Sequence, residues 1–226
     1  IVGFITQPLP IGGVSIVVIT VAALTGTLKI GEAISGFANS AIWLIVGAFL
    51  FSRGFIKTGL GKRIAYNLIA AFGSSSLRLS YALALSDLIL APATPSNTAR
   101  VGGVIMPITT SLAKAFGSEP QDGPRKIGSF LMQSIYQVNT ITSAMFQTSM
   151  AGNTLVAALA LQSFGIGITW GDWAMAAIVP GIIALIIMPY FIYKVYPPEI
   201  KDAREAQQMI REELKGLGKM SFQEWV

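Results

Sequence analysis

Apolar residues fill the chain in runs, and polar residues fall in short interruptions between them. Leu9 to Leu28 carries no charge. About 20 such residues cross the hydrocarbon core of a bilayer, so this run predicts a spanning helix. A second run starts at Ala38 and reaches Phe51; Arg53, Lys57, Lys62 and Arg63 then interrupt it, and Gly54, Gly59 and Gly61 punctuate it. That pattern predicts a broken helix whose later part lies along the membrane surface. Leu79 to Leu90 and Gly102 to Ala113 are each too short to span alone. Between them lies Ala-Pro-Ala-Thr-Pro-Ser-Asn-Thr-Ala-Arg, residues 91–100, which no continuous helix accommodates. Two half-length helices around a polar, proline-containing turn predict a re-entrant hairpin with its tip at mid-membrane. Irregular backbone persists at that depth only where protein buries it or where it lines a wet cavity.

Ile127 to Ser149 predicts an unusually polar span, with Gln133, Gln137, Asn139 and Gln147. The pattern breaks around Met150-Ala151-Gly152-Asn153 and resumes from Thr154 to Phe164. Trp173 to Tyr193 predicts the last span, with Trp170 and Trp173 at one interface and Tyr190, Tyr193 and Tyr196 at the other. Pro197-Pro198 stops it, and Glu199 to Gly216 reads as a charged amphipathic helix, soluble or lying on the surface. The fold class is therefore all-α and polytopic: spanning helices, a re-entrant helical hairpin and a broken helix.

Composition agrees. Hydrophobic residues make up 53% of the chain and charged residues 12%, about half the charged share of a soluble domain. One soluble core of this size does not hide so much apolar surface. The absence of cysteine and histidine removes imidazole catalysis and zinc held by thiolate or imidazole, so no enzymatic activity is expected. A net charge of +5 raises nucleic acid as a partner, but the basic residues sit between apolar runs rather than on one stripe, and none is expected. The chain opens on Ile1-Val2-Gly3 with no charged n-region. The first run is therefore not read as a signal peptide, and earlier helices are expected ahead of it.

The basic residues orient the chain. If the first span runs outward and the hairpin enters from inside, segments 53–78, 114–126 and 194–219 lie inside. They hold five, three and six basic residues, fourteen of sixteen; Lys29 falls outside and Arg100 within the membrane. The positive-inside rule selects this orientation in a cytoplasmic (inner) membrane.

The chemistry concentrates at the hairpin tip. Ser96 and Thr98 suit the N-cap of the half-helix that follows. In water a cap would explain them, but at mid-membrane free N–H groups and a positive dipole end facing a cavity attract a carboxylate. Asn97 offers an amide donor to a carboxylate and a carbonyl acceptor to a hard cation. Carbonyls near Ala91 to Thr94 lack partners because Pro92 and Pro95 have no N–H, and oxygen ligands of this kind suit Na⁺. The break from Ser149 to Thr154 repeats these features, either as a simple glycine kink or as part of a shared site containing Ser149 and Asn153. Asp87 and Arg100 are the intramembrane charges. They lie on opposite arms and read as a staple between them, with Arg100 alternatively an anion-attracting or coupling charge.

Residues 91–108, Ala-Pro-Ala-Thr-Pro-Ser-Asn-Thr-Ala-Arg-Val-Gly-Gly-Val-Ile-Met-Pro-Ile, resemble the signature hairpin of the divalent anion/Na⁺ symporter (DASS) family. That family includes dicarboxylate and citrate symporters, the bacterial citrate–succinate antiporter and the plastid 2-oxoglutarate/malate translocator. Ala41 to Gly61, Thr142 to Asn153 and Tyr196-Pro-Pro-Glu-Ile-Lys are similar to its exchanger branch. The resemblance implies an elevator mechanism, with a transport domain sliding against a dimeric scaffold. By it, Ser96, Asn97 and Thr98 bind substrate carboxylate with Asn153 nearby, and Asn97, Ser96 and Ser149 match a sodium site. Sodium-coupled members have a hydroxyl residue where this chain has Pro92, which weakens that site and favours sodium-independent antiport. Family members carry two inverted halves, each with a Ser-Asn-Thr motif, and one occurs here, so the chain is expected to be the N-terminal half.

The domains implied are scaffold-type helices with a surface segment (1–78), half of a transport domain (79–193) and a cytoplasmic connector (194–226). The transport half comprises the hairpin (79–113), the broken helix (127–164) and the last span (173–193). The implied function is secondary transport of di- or tricarboxylates such as succinate, malate, 2-oxoglutarate or citrate. The partners are that anion, the bilayer and a second copy of the full-length chain. Sodium-coupled symport is the alternative within this class; a channel or a non-transporting structural fragment are alternatives outside it.

Overall fold

The structure, a computed structural model, describes residues 2–225. It divides between Leu44 and Ile45 into two units. The first contains α1 (Val2–Thr6), α2 (Ile11–Leu24) and α3 (Ile30–Ala33). Helix α2 is shorter than the apolar run that predicts it. Pro10 precedes its first residue, and Gly26 at φ +67° turns the chain beyond its end. Fourteen residues extend about 21 Å, less than a bilayer core, so the expected span over Leu9–Leu28 is corrected to a short apolar helix.

Helix α4 (Ser40–Thr58) carries the chain from the first unit into the second, where α5 (Leu60–Phe72) follows. Their axes differ by 59°, and the break predicted in this basic stretch falls at Gly59. That residue adopts φ +83°, a conformation that a Cβ penalises. Gly54 and Gly61 lie inside the helices.

The hairpin comes next. Its first arm is α6 (Ser76–Leu90), capped by Ser75 and followed by a tight 3₁₀ turn, Ala91–Ala93. Thr94 precedes Pro95 and is extended at φ −129°, ψ 95°, as its proline neighbour dictates. The second arm begins earlier than the apolar pattern indicates. It comprises α7 (Asn97–Arg100), a π-helical segment Val101–Ile105 and α8 (Met106–Ala115). The widened turn precedes Pro107, which cannot donate to the preceding turn, and Met106 N–H reaches back five residues to Val101 O. The arms close on each other through a core that includes Leu79, Leu83, Leu90, Ile105, Ile108 and Leu112.

Helix α9 (Gly128–Met145) packs against both arms. The chain then breaks over residues 146–150, and α10 (Ala151–Phe164) continues it. The interruption precedes Gly152 and Asn153, which lie in the first turn of α10 rather than in the break itself. Helix α11 (Trp170–Val195) begins with a reciprocal cap between Thr169 and Asp172. Among the described residues it is the one continuous helix long and apolar enough to cross a membrane; the bent α4–α5 pair is a second candidate span. One side of α11 shows Met175, Val179, Ile183 and Ile187, each more than half exposed.

The tail closes the second unit. Helix α12 (Arg204–Gly216) buries Ala206 and Ile210 against α5. Gln207 and Arg211 donate to Ala70 O near the C-terminal end of α5. Residues 199–203 join two other segments. Ser76 N donates to Lys201 O at 3.0 Å and Ala203 N to Ser74 O at 3.2 Å, while Glu199 N and Ile200 N donate to Arg125 O and Lys126 O. The short α13 (Phe222–Trp225) ends the described chain. Its Glu224 pairs with Arg63 of α5 at 2.7 Å, and Arg63 also donates to Gly218 O and Leu217 O.

Candidate functional site

Ser96 is the N-cap of α7: its hydroxyl accepts from Ala99 N at 3.1 Å. Thr98, expected as a second cap, lies inside the first turn and is exposed. Asn97 Oδ1 accepts from Thr98 N at 2.9 Å. These bonds fix the tripeptide at the hairpin tip, where the side chain of Thr98 faces outward.

Behind the tip lies a buried charge network. Arg100 is fully buried, and its Nε donates to Asp87 Oδ1 at 2.8 Å, the staple between arms anticipated from the sequence. Its remaining N–H groups reach further. Nη1 donates to Thr94 O at 3.0 Å and Ser149 O at 3.2 Å, and Nη2 to the hydroxyls of Thr142 and Ser143 at 3.3 and 3.2 Å. Asp87 Oδ2 accepts from the Thr142 hydroxyl and from Asn139 Nδ2. Desolvating two charges is costly unless the remaining lone pairs and protons are also bonded, and here they are. One guanidinium thus joins the first arm, the tip, α9 and the second break.

The second break closes itself in a comparable way. An interrupted helix leaves carbonyls without partners. The Ser149 hydroxyl and Asn153 Nδ2 lie within hydrogen-bond distance of two carbonyls of the break, Ser143 O at 2.6 and 2.7 Å and Phe146 O, which also accepts from Ser149 N, at 2.8 and 2.9 Å. Thr148 ties this break to the hairpin: its hydroxyl donates to Pro92 O at 2.7 Å and accepts from Trp170 Nε1 at 3.0 Å. The ring of Trp170 stacks on Phe146.

The two breaks therefore meet, but not through the residues expected to join them. Ser96, Asn97 and Thr98 make no described hydrogen bond to Ser149 or Asn153. The junction runs through Arg100, Thr142, Ser143 and Thr148. Residues 139, 142 and 143 share one face of α9 by their i, i+3, i+4 spacing, a signal present in the sequence.

The oxygens of Asn97, Ser96 and Ser149, expected at a sodium site, each accept a hydrogen bond within the protein. Ser149 O and Thr94 O, the oxygens that converge between the breaks, both receive Arg100 Nη1. The Ser149 hydroxyl is turned toward the carbonyls of its own break.

Broken helices meeting around a buried charge are an architecture of membrane carriers. The description "Sodium:sulfate symporter transmembrane region" matches residues 1–226, and the chain belongs to that family, the divalent anion/Na⁺ symporters. It is 57% identical over 219 residues to "Putative malate transporter YflS" of Bacillus subtilis, covering 96% of this chain and 46% of that protein. To "Dicarboxylate transporter 1, chloroplastic" of Spinacia oleracea it is 49% identical over 225 residues, covering 99% and 40%. To "Inner membrane protein YbhI" of Escherichia coli it is 44% identical over 230 residues, covering 99% and 48%. The chain thus spans under half the length of these relatives.

Proposed function

We propose that the chain forms one wall of the substrate site of a secondary transporter that exchanges di- or tricarboxylate anions across a cytoplasmic membrane. The observation that carries this reading is Arg100, a buried cation held against the backbone of both helix breaks behind the Ser96-Asn97-Thr98 tip. Asp87 neutralises that cation, so its part is to hold the two breaks together behind the tip, while the tip supplies N–H and amide donors to the carboxylate. Pro92, standing where sodium-coupled members have a hydroxyl residue, supports antiport. The names of relatives, a malate transporter and dicarboxylate transporters, support succinate, malate or 2-oxoglutarate as cargo.

The proposed topology has physical support. The three basic segments assigned to the inner side are hydrogen-bonded together through residues 74–76, 125–126 and 199–203, which puts them at one end of the second unit. The hairpin then enters from that end. Elevator motion and a dimeric scaffold are part of the same proposal, and rest on family membership.

Exchange is tested in liposomes preloaded with malate, using a family-length protein that contains this chain. Saturable uptake of labelled succinate is expected, and Asn97→Ala is expected to abolish it while the protein still inserts. Uptake into empty vesicles driven by a Na⁺ gradient would overturn the antiport reading.

A further inference from the structure

A second candidate binding site lies away from the hairpin tip, at the end of the second unit where the basic segments join. A groove of about 470 Å³ is lined by Ala71, Phe72, Arg78, Tyr81, Ala82 and Leu85. Its surface is mainly apolar, and Phe72 and Leu85 are left 55% and 38% exposed. Arg78 lies in the first turn of α6, two residues beyond Ser76, which is bonded to Lys201 O. Its guanidinium donates to Ser74 Oγ at 3.2 Å. Among the described residues, no carboxylate lies within ion-pair distance of it.

Helix α11 brings a second cation to this end. Tyr81 donates its hydroxyl to Ile186 O at 2.5 Å, fixing α6 beside α11. Tyr190 and Lys194 follow Ile186 at successive four-residue steps along the same face. Lys194 Nζ sits 5.5 Å from the centroid of the Tyr190 ring, and among the described residues it too has no carboxylate partner. An apolar trough lined also by an arginine and a tyrosine, with Tyr190 and Lys194 following along the neighbouring helix, offers different chemistry along its length. A free anion would leave the trough unfilled, and a neutral lipid would leave the arginine without a counter-charge.

We propose that this groove binds one anionic glycerophospholipid. Arg78 takes its phosphate, for which a planar guanidinium is suited. Its acyl chain lies along Phe72, Ala82 and Leu85. The proposal rests on the membrane orientation given above, which places the groove in the inner leaflet, where anionic lipid draws basic side chains.

Native mass spectrometry of the full chain in detergent tests this, with phosphatidylglycerol and phosphatidylcholine of identical acyl chains as probes. Wild-type protein is expected to retain phosphatidylglycerol about fivefold better, the scale of one basic contact to an anionic lipid. Arg78→Gln removes that preference, whereas Lys114→Gln, which alters a basic residue outside the groove, keeps it. Leu85→Trp, at an exposed position on the trough, narrows it and lowers retention of both lipids. Equal retention of the two lipids by wild-type protein, or an unchanged preference in Arg78→Gln, overturns the site. Alkaline carbonate extraction separates the two readings. Release of the chain from membranes sinks the membrane reading on which both rest, while an integral protein without lipid preference sinks only the lipid site.

Discussion

Arg100 and Asp87, on opposite arms of the hairpin and thirteen residues apart, share a 2.8 Å ion pair from which solvent is excluded. The pair sets the spacing between the arms, and its remaining hydrogen bonds carry that constraint to α9 and to the second break.

Removing one partner leaves the other charged and buried. Arg100→Met or Asp87→Leu alone is expected to cost about 3–5 kcal/mol of stability. The double variant is expected to lose less than either single change, because no uncompensated charge remains. Thermal unfolding in detergent provides the comparison, and strictly additive losses would argue against a coupled pair.

Thr148 bridges Pro92 O and the Trp170 indole. Thr148→Val keeps the volume and deletes both bonds, at about 1–3 kcal/mol for the groups left unpaired. A shift in tryptophan emission should accompany the loss. Unchanged emission and stability would show that the bridge contributes little.

Gly59 and Gly54 give a contrast within one broken helix. Gly59→Ala forces a Cβ into φ +83° and should destabilise by about 1–2 kcal/mol. Gly54 sits inside α4 with open space where a Cβ would stand, so Gly54→Ala is expected to be neutral or stabilising by up to about 1 kcal/mol. Equal effects on the unfolding midpoint would remove the case for a backbone hinge at Gly59.

The tail contact responds to acid. Hydrogen bonds from Arg63 and from Ser221 N–H hold the Glu224 carboxyl down, from a usual 4.5 to about 2. A depressed carboxylate stabilises the folded tail fully above the usual value and loses that contribution as pH falls through the folded one. Protection from hydrogen exchange at residues 217–225, relative to intrinsic rates, is therefore expected to fall between about pH 4.5 and 2. Glu224→Gln should exchange faster at neutral pH and lose the acid dependence. A wild-type rate that follows only intrinsic exchange chemistry across that window would dispose of the contact.

The hairpin is legible in the sequence because its signals are local. Pro92, Pro95 and Ser96 dictate a helix break and a cap whatever surrounds them, and the two apolar arms are bounded by it. The break in the basic stretch is legible for a similar reason, although choosing Gly59 from three glycines requires the backbone. The first apolar helix is shorter than its pattern because hydropathy counts apolar residues and does not register where Gly26 stops a helix. The site is half legible. Asp87 and Arg100 stand out as charges in apolar sequence, but Thr142, Ser143 and Thr148 look like ordinary hydroxyl residues. Only packing between segments some fifty residues apart gives them partners. The placement of α12 depends likewise on α5: its amphipathic pattern announces an apolar face and does not say what covers it.

The π-helical segment at Val101–Ile105 sets the phase of everything after it. Its wide turn holds one residue more than a regular α-helical turn and absorbs it locally, so deleting a single residue there would let the ladder close as ordinary helix with the following arm near its present phase. The same deletion just beyond it, at Met106, has no wide turn to absorb it and would rotate the following arm by about 100° relative to Arg100. Ile108 and Leu112 would then leave the core that seats the arm against α6 and α9. Five residues without a charged or hydroxyl side chain among them thus act as the index mark between the charge network and the arm that supports it.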